Sequence, residues 1–434
     1  MTSFVIGLLS LAAMGIAVMV GLFVPIALIA CSFVGVWAIK GSPLLASKLL
    51  ALAANDAISS YFFGVVPLFV LMGFVVSEAG FGRDAFDVAN AMFRRLKGGL
   101  GVGTVGANAI FAAITGISIA SAAVFTKIAV PQMIRHGYAP RFAAGVVAGS
   151  SVLGMMIPPS LLLILFGILA EQSIGDLFIA GIGPGLLLAV FFGLGIVAMA
   201  TFAPRSVGML SKGTESLHRS EIWRKALPIV SLILLVLGGI YAGFFTPVEA
   251  GAMGSIGALT LGFAMGRLSL KQLWTVLVET GLVTATVCFL IIAAQMYSRM
   301  LALSGVPSGL GSLATDADLG FWGIMLIYVG IVILMGMILD SSSIMLILVP
   351  LMLPVVIPMQ IDLIWFGIVT VLAVEIGLLT PPFGLSVYVI KATLDDPSIS
   401  LTDIFRGAAP FALIMLVVLA LVLAIPQIAT GLVP

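Results

Sequence analysis

Two small polar clusters interrupt long apolar stretches of this 434-residue chain. They read Thr115-Gly116-Ile117-Ser118 and Asp340-Ser341-Ser342-Ser343. Hydroxyls, a carboxylate and the carbonyls of a turn are oxygen ligands that suit a hard monovalent cation. The clusters therefore predict cation sites. Asp340 lies between uncharged runs, where a carboxylate is costly, and so marks a pathway for a cation or a proton.

Each cluster lies near the middle of an apolar stretch, at about 98–131 and 319–354, that is too long for one helix and too short for two joined spans. A stretch that enters the membrane, turns at a small polar tip and leaves on the same side is a re-entrant hairpin, which we predict at both places. The alternative is a kinked span whose serines hydrogen-bond to their own helix.

A Pro-Pro pair follows each cluster, in Ile157-Pro158-Pro159-Ser160 and in Thr380-Pro381-Pro382-Phe383. Proline lacks a backbone donor and disfavours helical geometry in the preceding residue, so a helix opens there and leaves carbonyls free. In lipid, such openings survive only where protein or a wet cavity covers them. We therefore predict two broken membrane helices, at about 142–170 and 363–391.

The two halves of the chain share these features in one register. An offset of 223 positions relates four pairs of residues: Ser118 and Ser341, Pro131 and Pro354, Gly154 and Gly377, Pro158 and Pro381. The chain is thus internally duplicated. Duplicated halves with matching interrupted helices are typical of secondary transporters, so we expect two inverted structural repeats.

Composition supports a membrane setting, because 62% of the residues are hydrophobic and only 9% are charged, against about 25% charged in soluble domains. We predict an all-α polytopic membrane protein in the lipid bilayer. No basic stripe with interleaved aromatics indicates a nucleic-acid partner. The predicted organisation is an N-terminal repeat at 1–203, a polar linker at 204–225 and a C-terminal repeat at 226–434.

Four charged residues in apolar surroundings have open roles. Glu375 supports the site or forms a structural ion pair, and Glu249 caps a helix after Pro247. For Arg299 and Lys127 three roles are open: the side chain extends to the membrane–water interface, pairs with a carboxylate, or faces another subunit.

Other chemistries have weak signals. The sequence pattern Gly-X-Gly-X-X-Gly at 101–106 matches the fingerprint of dinucleotide-binding proteins, but it follows a basic segment rather than a strand. We therefore predict no cofactor. Ser121 and Lys127 suggest a Ser-Lys intramembrane hydrolase, yet the second half lacks a matching lysine.

Taken together, these motifs resemble the large membrane subunit of the tripartite ATP-independent periplasmic (TRAP) transporters, the DctM type. The resemblance covers essentially the whole chain. The segments that carry it are Pro67–Gly73, Thr115–Ser118, Gly154–Ser160, Phe245–Ala250, Asp340 and Glu375–Gly384.

The resemblance implies a sodium-coupled importer of organic acid anions, such as C4-dicarboxylates or sialic acid, in a bacterial inner membrane. It implies two partners, a small four-helix membrane subunit and a periplasmic substrate-binding protein. It also implies an elevator-type transport domain that moves against a fixed scaffold. The rival hypotheses are a proton-coupled or binding-protein-independent organic anion transporter and an intramembrane enzyme.

Carried over by position, the resemblance implies two groups of sodium ligands. These are Thr115, Gly116, Ser118, Gly154 and Pro158 in the first half, and Asp340, Ser341, Ser343, Gly377 and Thr380 in the second. We expect Ser118, Ser160 and Asp340 to contact the substrate. Family members often carry two adjacent serines where this chain has Ile117-Ser118, so one cation contact at the first tip would be a backbone carbonyl.

Overall fold

The computed structural model describes residues 2–208, 218–309, 312, 320–394 and 396–433. The named elements in these ranges are all helices. Those of nine or more residues are Ser3–Met19, Val24–Lys40, Pro43–Ser59, Val65–Glu78, Phe81–Phe93, Gly99–Thr115, Ser118–Arg135, Pro140–Ser151, Leu161–Ala170, Ile174–Phe202, Arg219–Ile233, Pro247–Ala264, Leu270–Ser304, Gly320–Gly336, Ser341–Val356, Leu363–Leu379, Leu385–Thr393 and Leu401–Ala424. The shorter elements are Tyr61–Gly64, Leu153–Met156, Pro204–Val207, Leu234–Gly238, Gly239–Tyr241 and Gln427–Thr430.

Part of the predicted organisation falls outside the described residues. Positions 209–217 of the linker and Leu319, the predicted start of the second hairpin, are among these. Within the described part, the helix Arg219–Ile233 begins inside the predicted linker. The N-terminal apolar run forms two helices, Ser3–Met19 and Val24–Lys40.

Within the described ranges, five helical segments are long and apolar enough to cross a membrane. They are Pro140–Ala170, Ile174–Phe202, Arg219–Tyr241, Leu270–Ser304 and Leu401–Ala424. Val65–Glu78 and Phe81–Phe93 meet at 68° and together form a bent sixth candidate. The fold is thus that of an all-helical, multi-pass membrane protein.

The first hairpin consists of Gly99–Thr115 and Ser118–Arg135. Its limbs run antiparallel, because Phe111 packs on Phe125 with 5.5 Å between ring centroids, and the Thr104 hydroxyl lies 3.8 Å from the Met133 sulfur. A kinked span would separate these pairs. The second hairpin consists of Gly320–Gly336 and Ser341–Val356, whose limbs also touch.

The broken helices join the two halves reciprocally. The first comprises Pro140–Ser151, Leu153–Met156 and Leu161–Ala170, and its last part packs on Ser341–Val356 of the second hairpin. The second comprises Leu363–Leu379 and Leu385–Thr393, and its last part packs on Ser118–Arg135 of the first hairpin. Each break is therefore held against the opposite half of the chain.

A second group of helices lies beside this assembly. Ser3–Met19, Val24–Lys40 and Pro43–Ser59 pack against the long helix Leu270–Ser304. The helix Phe81–Phe93 packs on the first hairpin and forms two ion pairs with later residues, Asp84 with Arg267 in the second half and Asp87 with Lys225 at the end of the predicted linker.

Candidate transport site at the hairpin tips and helix breaks

The first hairpin tip is a two-residue turn. Gly116 follows the first limb with a left-handed backbone, at φ 65°, and Ile117 is extended before the second limb begins at Ser118. The Thr115 hydroxyl donates to the Phe111 carbonyl at 2.9 Å. The Ser118 hydroxyl is fully buried and has no hydrogen-bond partner within the described part of the chain. It is therefore available to a ligand.

The first break lies directly against this tip. The Leu161 N–H donates to the Gly116 carbonyl at 3.1 Å. A Cβ added to Gly116 would lie 2.3 Å from the Pro159 carbonyl oxygen, and one added to Gly154 would lie 3.0 Å from the Ser118 nitrogen. These glycines permit the close approach of two backbones. We call this contact between tip and break the first junction.

Ser160 ends the first break in a different role from the one expected. Its hydroxyl donates to the Met155 carbonyl and accepts from the Leu163 N–H at 3.3 Å. The side chain caps the helix Leu161–Ala170 and is fully buried. In this conformation the hydroxyl bonds to backbone groups on both sides of the break, and its contact with a substrate stays a prediction.

The second tip is longer, with four residues between its limbs where the first has two. Asp340 caps the second limb, because one of its carboxylate oxygens accepts from the Ser343 N–H at 3.1 Å and the other from the Ser343 hydroxyl. The corresponding position in the first tip is Ile117, whose side chain has no oxygen that could accept a capping hydrogen bond. The second tip thus carries a formal negative charge that the first tip lacks.

The second break meets the second tip in a similar way. The Phe383 N–H donates to the Met337 carbonyl at 3.2 Å. A Cβ on Gly377 would lie 2.5 Å from the Gly336 Cα, so the two backbones touch. The Thr380 hydroxyl donates to the Ile376 carbonyl at 2.7 Å. This is the second junction.

The two junctions share one pattern. In each, the first N–H groups after a cis Pro-Pro pair include a donor to the carbonyl that follows the first limb of a hairpin. The predicted ligands Gly116, Ser118 and Gly154 meet at the first junction, and Gly377 lies beside the tip that carries Asp340. Carbonyls, hydroxyls and one carboxylate can ligate small cations, and the helix N-termini after the breaks favour an anion.

Glu375 lies in Leu363–Leu379, one turn before the second break, and is 1% exposed. Phe366, Thr370 and Gly377 face the neighbouring limb Gly320–Gly336, so by helical geometry Glu375 points away from that limb. Neither carboxyl oxygen has a hydrogen-bond partner among the described residues. Of the two alternatives for Glu375, the ion pair with an arginine is thus absent from the described structure.

The other charged residues have clearer places. Glu249 and Thr246 form a capping box, since the Thr246 N–H donates to the Glu249 carboxylate at 2.8 Å. Arg299 pairs with Asp56. Lys127 is exposed. It lies six residues from Ser121 on one helix, which points the two side chains in very different directions, and the buried Ser121 hydroxyl has no partner in the described ranges.

Some site residues were not found from the sequence. The Met337 carbonyl accepts the hydrogen bond of the second junction. Ser386 lies in Leu385–Thr393, the helix that packs on Ser118–Arg135, and its buried hydroxyl has no hydrogen-bond partner among the described residues. Met337 gives no polar signal. Ser386 is only six residues past Thr380, so its distance from the break was the available clue.

Fold and site together define a multi-pass helical membrane protein built around two broken helices. A family model described as "Tripartite ATP-independent periplasmic transporter, DctM component" matches residues 5–428. The chain belongs to this family of transporters.

Named relatives agree with this assignment. The C4-dicarboxylate TRAP transporter large permease protein DctM of Pseudomonas aeruginosa is 34% identical over 390 residues, covering 89% of each chain. The sialic acid TRAP transporter large permease protein SiaM of Vibrio cholerae is 31% identical, over 83% of this chain and 84% of that protein. The YdaH transporter of Alcanivorax borkumensis has a similar fold, with a TM-score of 0.54, 16% identity and 90% of each chain covered.

Proposed function

We propose that this chain is the large transmembrane subunit of a sodium-coupled importer of organic acid anions in a bacterial inner membrane. The observation that carries the proposal is the pair of tip–break junctions, made by Leu161 N–H to the Gly116 carbonyl and Phe383 N–H to the Met337 carbonyl. Both combine freed backbone oxygens with small polar side chains. That is the ligand chemistry that sodium needs.

The proposed mechanism uses one sodium ion at each junction. Thr115, Gly116, Ser118, Gly154 and Pro158 would hold the first ion, and Asp340, Ser341, Ser343, Gly377 and Thr380 the second. Bound sodium adds positive charge beside two helix N-termini, so an organic anion becomes favourable between the junctions. Ser118, whose buried hydroxyl lacks a partner within the described ranges, is the best placed of the three expected substrate contacts.

An elevator-type movement is the second part of the proposal. The hairpins and broken helices would form the transport domain, and the helices Ser3–Ser59 with Leu270–Ser304 the scaffold. The reciprocal packing of each broken helix on the opposite hairpin supports inverted repeats that move as one body. A small four-helix membrane subunit would extend the scaffold, and a periplasmic binding protein would deliver the cargo.

The test is uptake in proteoliposomes that contain the large and small subunits. Labelled succinate or sialic acid is added outside with the cognate binding protein, under an inward sodium gradient. We expect uptake to require both sodium and the binding protein. Uptake driven equally well by a proton gradient without sodium, or without the binding protein, contradicts the proposal and favours the rival transporter hypotheses.

A further inference from the structure

A cavity of about 270 Å³ opens between the second hairpin tip and the second break. Its lining residues are Gly336 at the end of the first limb, Met337, Ile338 and Leu339 of the tip, Phe383 at the break, and Leu385 and Tyr388 of the helix that follows the break. The phenol of Tyr388 is the one polar side-chain group among them. We call it the apolar cavity.

Two aromatic rings face this space rather than the protein interior. Phe383 is 54% exposed and Tyr388 is 42% exposed, whereas Ser386, Val387 and Ile390 of the helix after the break are buried. Their ring centroids are 6.5 Å apart and the planes meet at 33°, so the rings present a joint apolar wall. The corresponding residues of the first half, Ser160 and Leu165, are fully buried. The breaks of the two halves therefore differ in the side chains that they expose.

The apolar cavity is continuous with the second junction. Leu339 immediately precedes Asp340, and Phe383 follows Thr380 by three residues. The hydrogen bond from the Phe383 N–H to the Met337 carbonyl joins the two walls. If a carboxylate binds a cation at this junction, the rest of the cargo molecule would therefore lie next to the apolar cavity. A lipid acyl chain is the competing occupant.

The size and lining of the cavity limit what it can accept. Its 270 Å³ is slightly below the roughly 300–1,000 Å³ of typical small-molecule sites, so it suits part of a cargo molecule. A second carboxylate placed there would lose its hydration without gaining a charged partner. A branched or aromatic group would instead gain apolar contacts.

We propose that the apolar cavity binds the apolar body of the cargo, so that the membrane complex prefers monocarboxylates with a branched or aromatic group over C4-dicarboxylates. This inference rests on the proposed function and names its substrate class. Phe383 and Tyr388 are then the residues that determine specificity, while the junction holds the carboxylate.

The experiment measures binding to the purified complex of large and small subunits in nanodiscs with saturating sodium. The binding protein is omitted, so that only the selectivity of the membrane complex is measured. The probes are 4-methyl-2-oxopentanoate and phenylpyruvate, with succinate for comparison. We expect both monocarboxylates to bind at least about tenfold more tightly than succinate, since apolar groups in a fitting pocket discriminate by about that factor or more.

Variants then locate the preference. Phe383→Ser should weaken monocarboxylate binding by about tenfold and leave succinate binding within about twofold. Tyr388→Ala should also weaken monocarboxylate binding, and Phe383→Leu, which keeps an apolar side chain, should keep most of the affinity. These two variants test the inference if Phe383→Ser fails to fold. Phe263→Ser is the matched control, because Phe263 is 41% exposed on Pro247–Ala264, away from the junctions.

The outcomes separate the inference from the proposed function. Equal affinity for all three acids, or unchanged monocarboxylate affinity in both Phe383→Ser and Tyr388→Ala, overturns the inference. Unchanged monocarboxylate affinity together with lower thermal stability of the folded variants in nanodiscs also overturns it, and indicates a lipid acyl chain in the cavity. If the complete system still imports succinate with sodium, the proposed function stands; if no organic acid is bound or imported, the proposed function itself fails.

Discussion

The substitution Gly116→Ala tests whether the first junction holds an ion. Gly116 has a left-handed backbone at φ 65°, and an added Cβ would lie 2.3 Å from the Pro159 carbonyl oxygen. Gly266 offers a matched control, because it has the same φ of 65° and nothing within 4 Å of an added Cβ. Both alanine variants therefore share the backbone strain, and only Gly116→Ala carries the steric overlap.

The difference between the two variants can be estimated from the structure. The left-handed conformation costs each alanine roughly 1–2 kcal/mol. At Gly116 the overlap is with backbone 2.3 Å away, and ordinary van der Waals contacts are about 3.5–4.0 Å, so the tip and the break must separate by roughly 1.2–1.7 Å. That movement lengthens the 3.1 Å hydrogen bond from the Leu161 N–H, a loss of about 0.5–1.5 kcal/mol.

A separation of this size should also spoil the sodium ligands at the junction. If sodium binding loses about 1.4 kcal/mol, the sodium concentration for half-maximal uptake rises about tenfold. We therefore expect that rise for Gly116→Ala, a smaller one for Gly154→Ala, and at most about a twofold change for Gly266→Ala. The assay is sodium-dependent uptake in proteoliposomes with expression and thermal stability checked in parallel. Equal sodium dependence in Gly116→Ala and Gly266→Ala would refute a sodium site at the first junction.

Three further predictions concern the acidic residues. Asp340→Asn keeps a good helix cap but removes the charge, so sodium affinity should fall while thermal stability is unchanged. Asp362→Asn, at another capping aspartate, is the control and should leave sodium dependence unchanged. Equal effects of the two substitutions on sodium dependence would contradict a sodium site at the second junction. Asp84→Asn should lower the free energy of unfolding by about 2 kcal/mol, because it removes a charged hydrogen bond from a partly buried pair in which Asp84 is only 6% exposed. Asp56→Asn should cost less than about 1 kcal/mol, because Asp56 is 52% exposed. Denaturation of both variants checks this order. Glu375→Gln should match or exceed the wild type in thermal stability, since a buried carboxylate without a partner is unfavourable; a marked loss would mean that the assembled complex supplies a partner.

Local covalent chemistry explains why much of the fold was predictable. The breaks at Pro158 and Pro381 follow from the missing backbone donor of proline, which acts wherever the residue stands. The first hairpin tip was predictable because Gly116 tolerates the left-handed conformation that a two-residue turn requires. The capping box at Glu249 was likewise encoded within four residues.

Side-chain partnerships were less accessible to sequence reasoning. Arg299 finds Asp56 across 243 positions of chain, and no local pattern connects them. The sequence does not decide whether Glu375 supports the site or forms an ion pair. Its lack of a hydrogen-bond partner among the described residues depends on every helix packed around it. Ser160 appeared free for a substrate in the sequence, yet folding commits its hydroxyl to the Met155 carbonyl.

The sequence by itself determined that this is a helical membrane protein with two broken helices and two polar tips, because proline, glycine and apolar composition act locally or additively. Only the tertiary structure decided which tip carbonyl meets which break, through Gly116 with Leu161 and Met337 with Phe383. It also decided that the second break exposes Phe383 while the first buries Ser160. Such contacts join segments far apart in the chain, and their distances depend on how all the helices pack together.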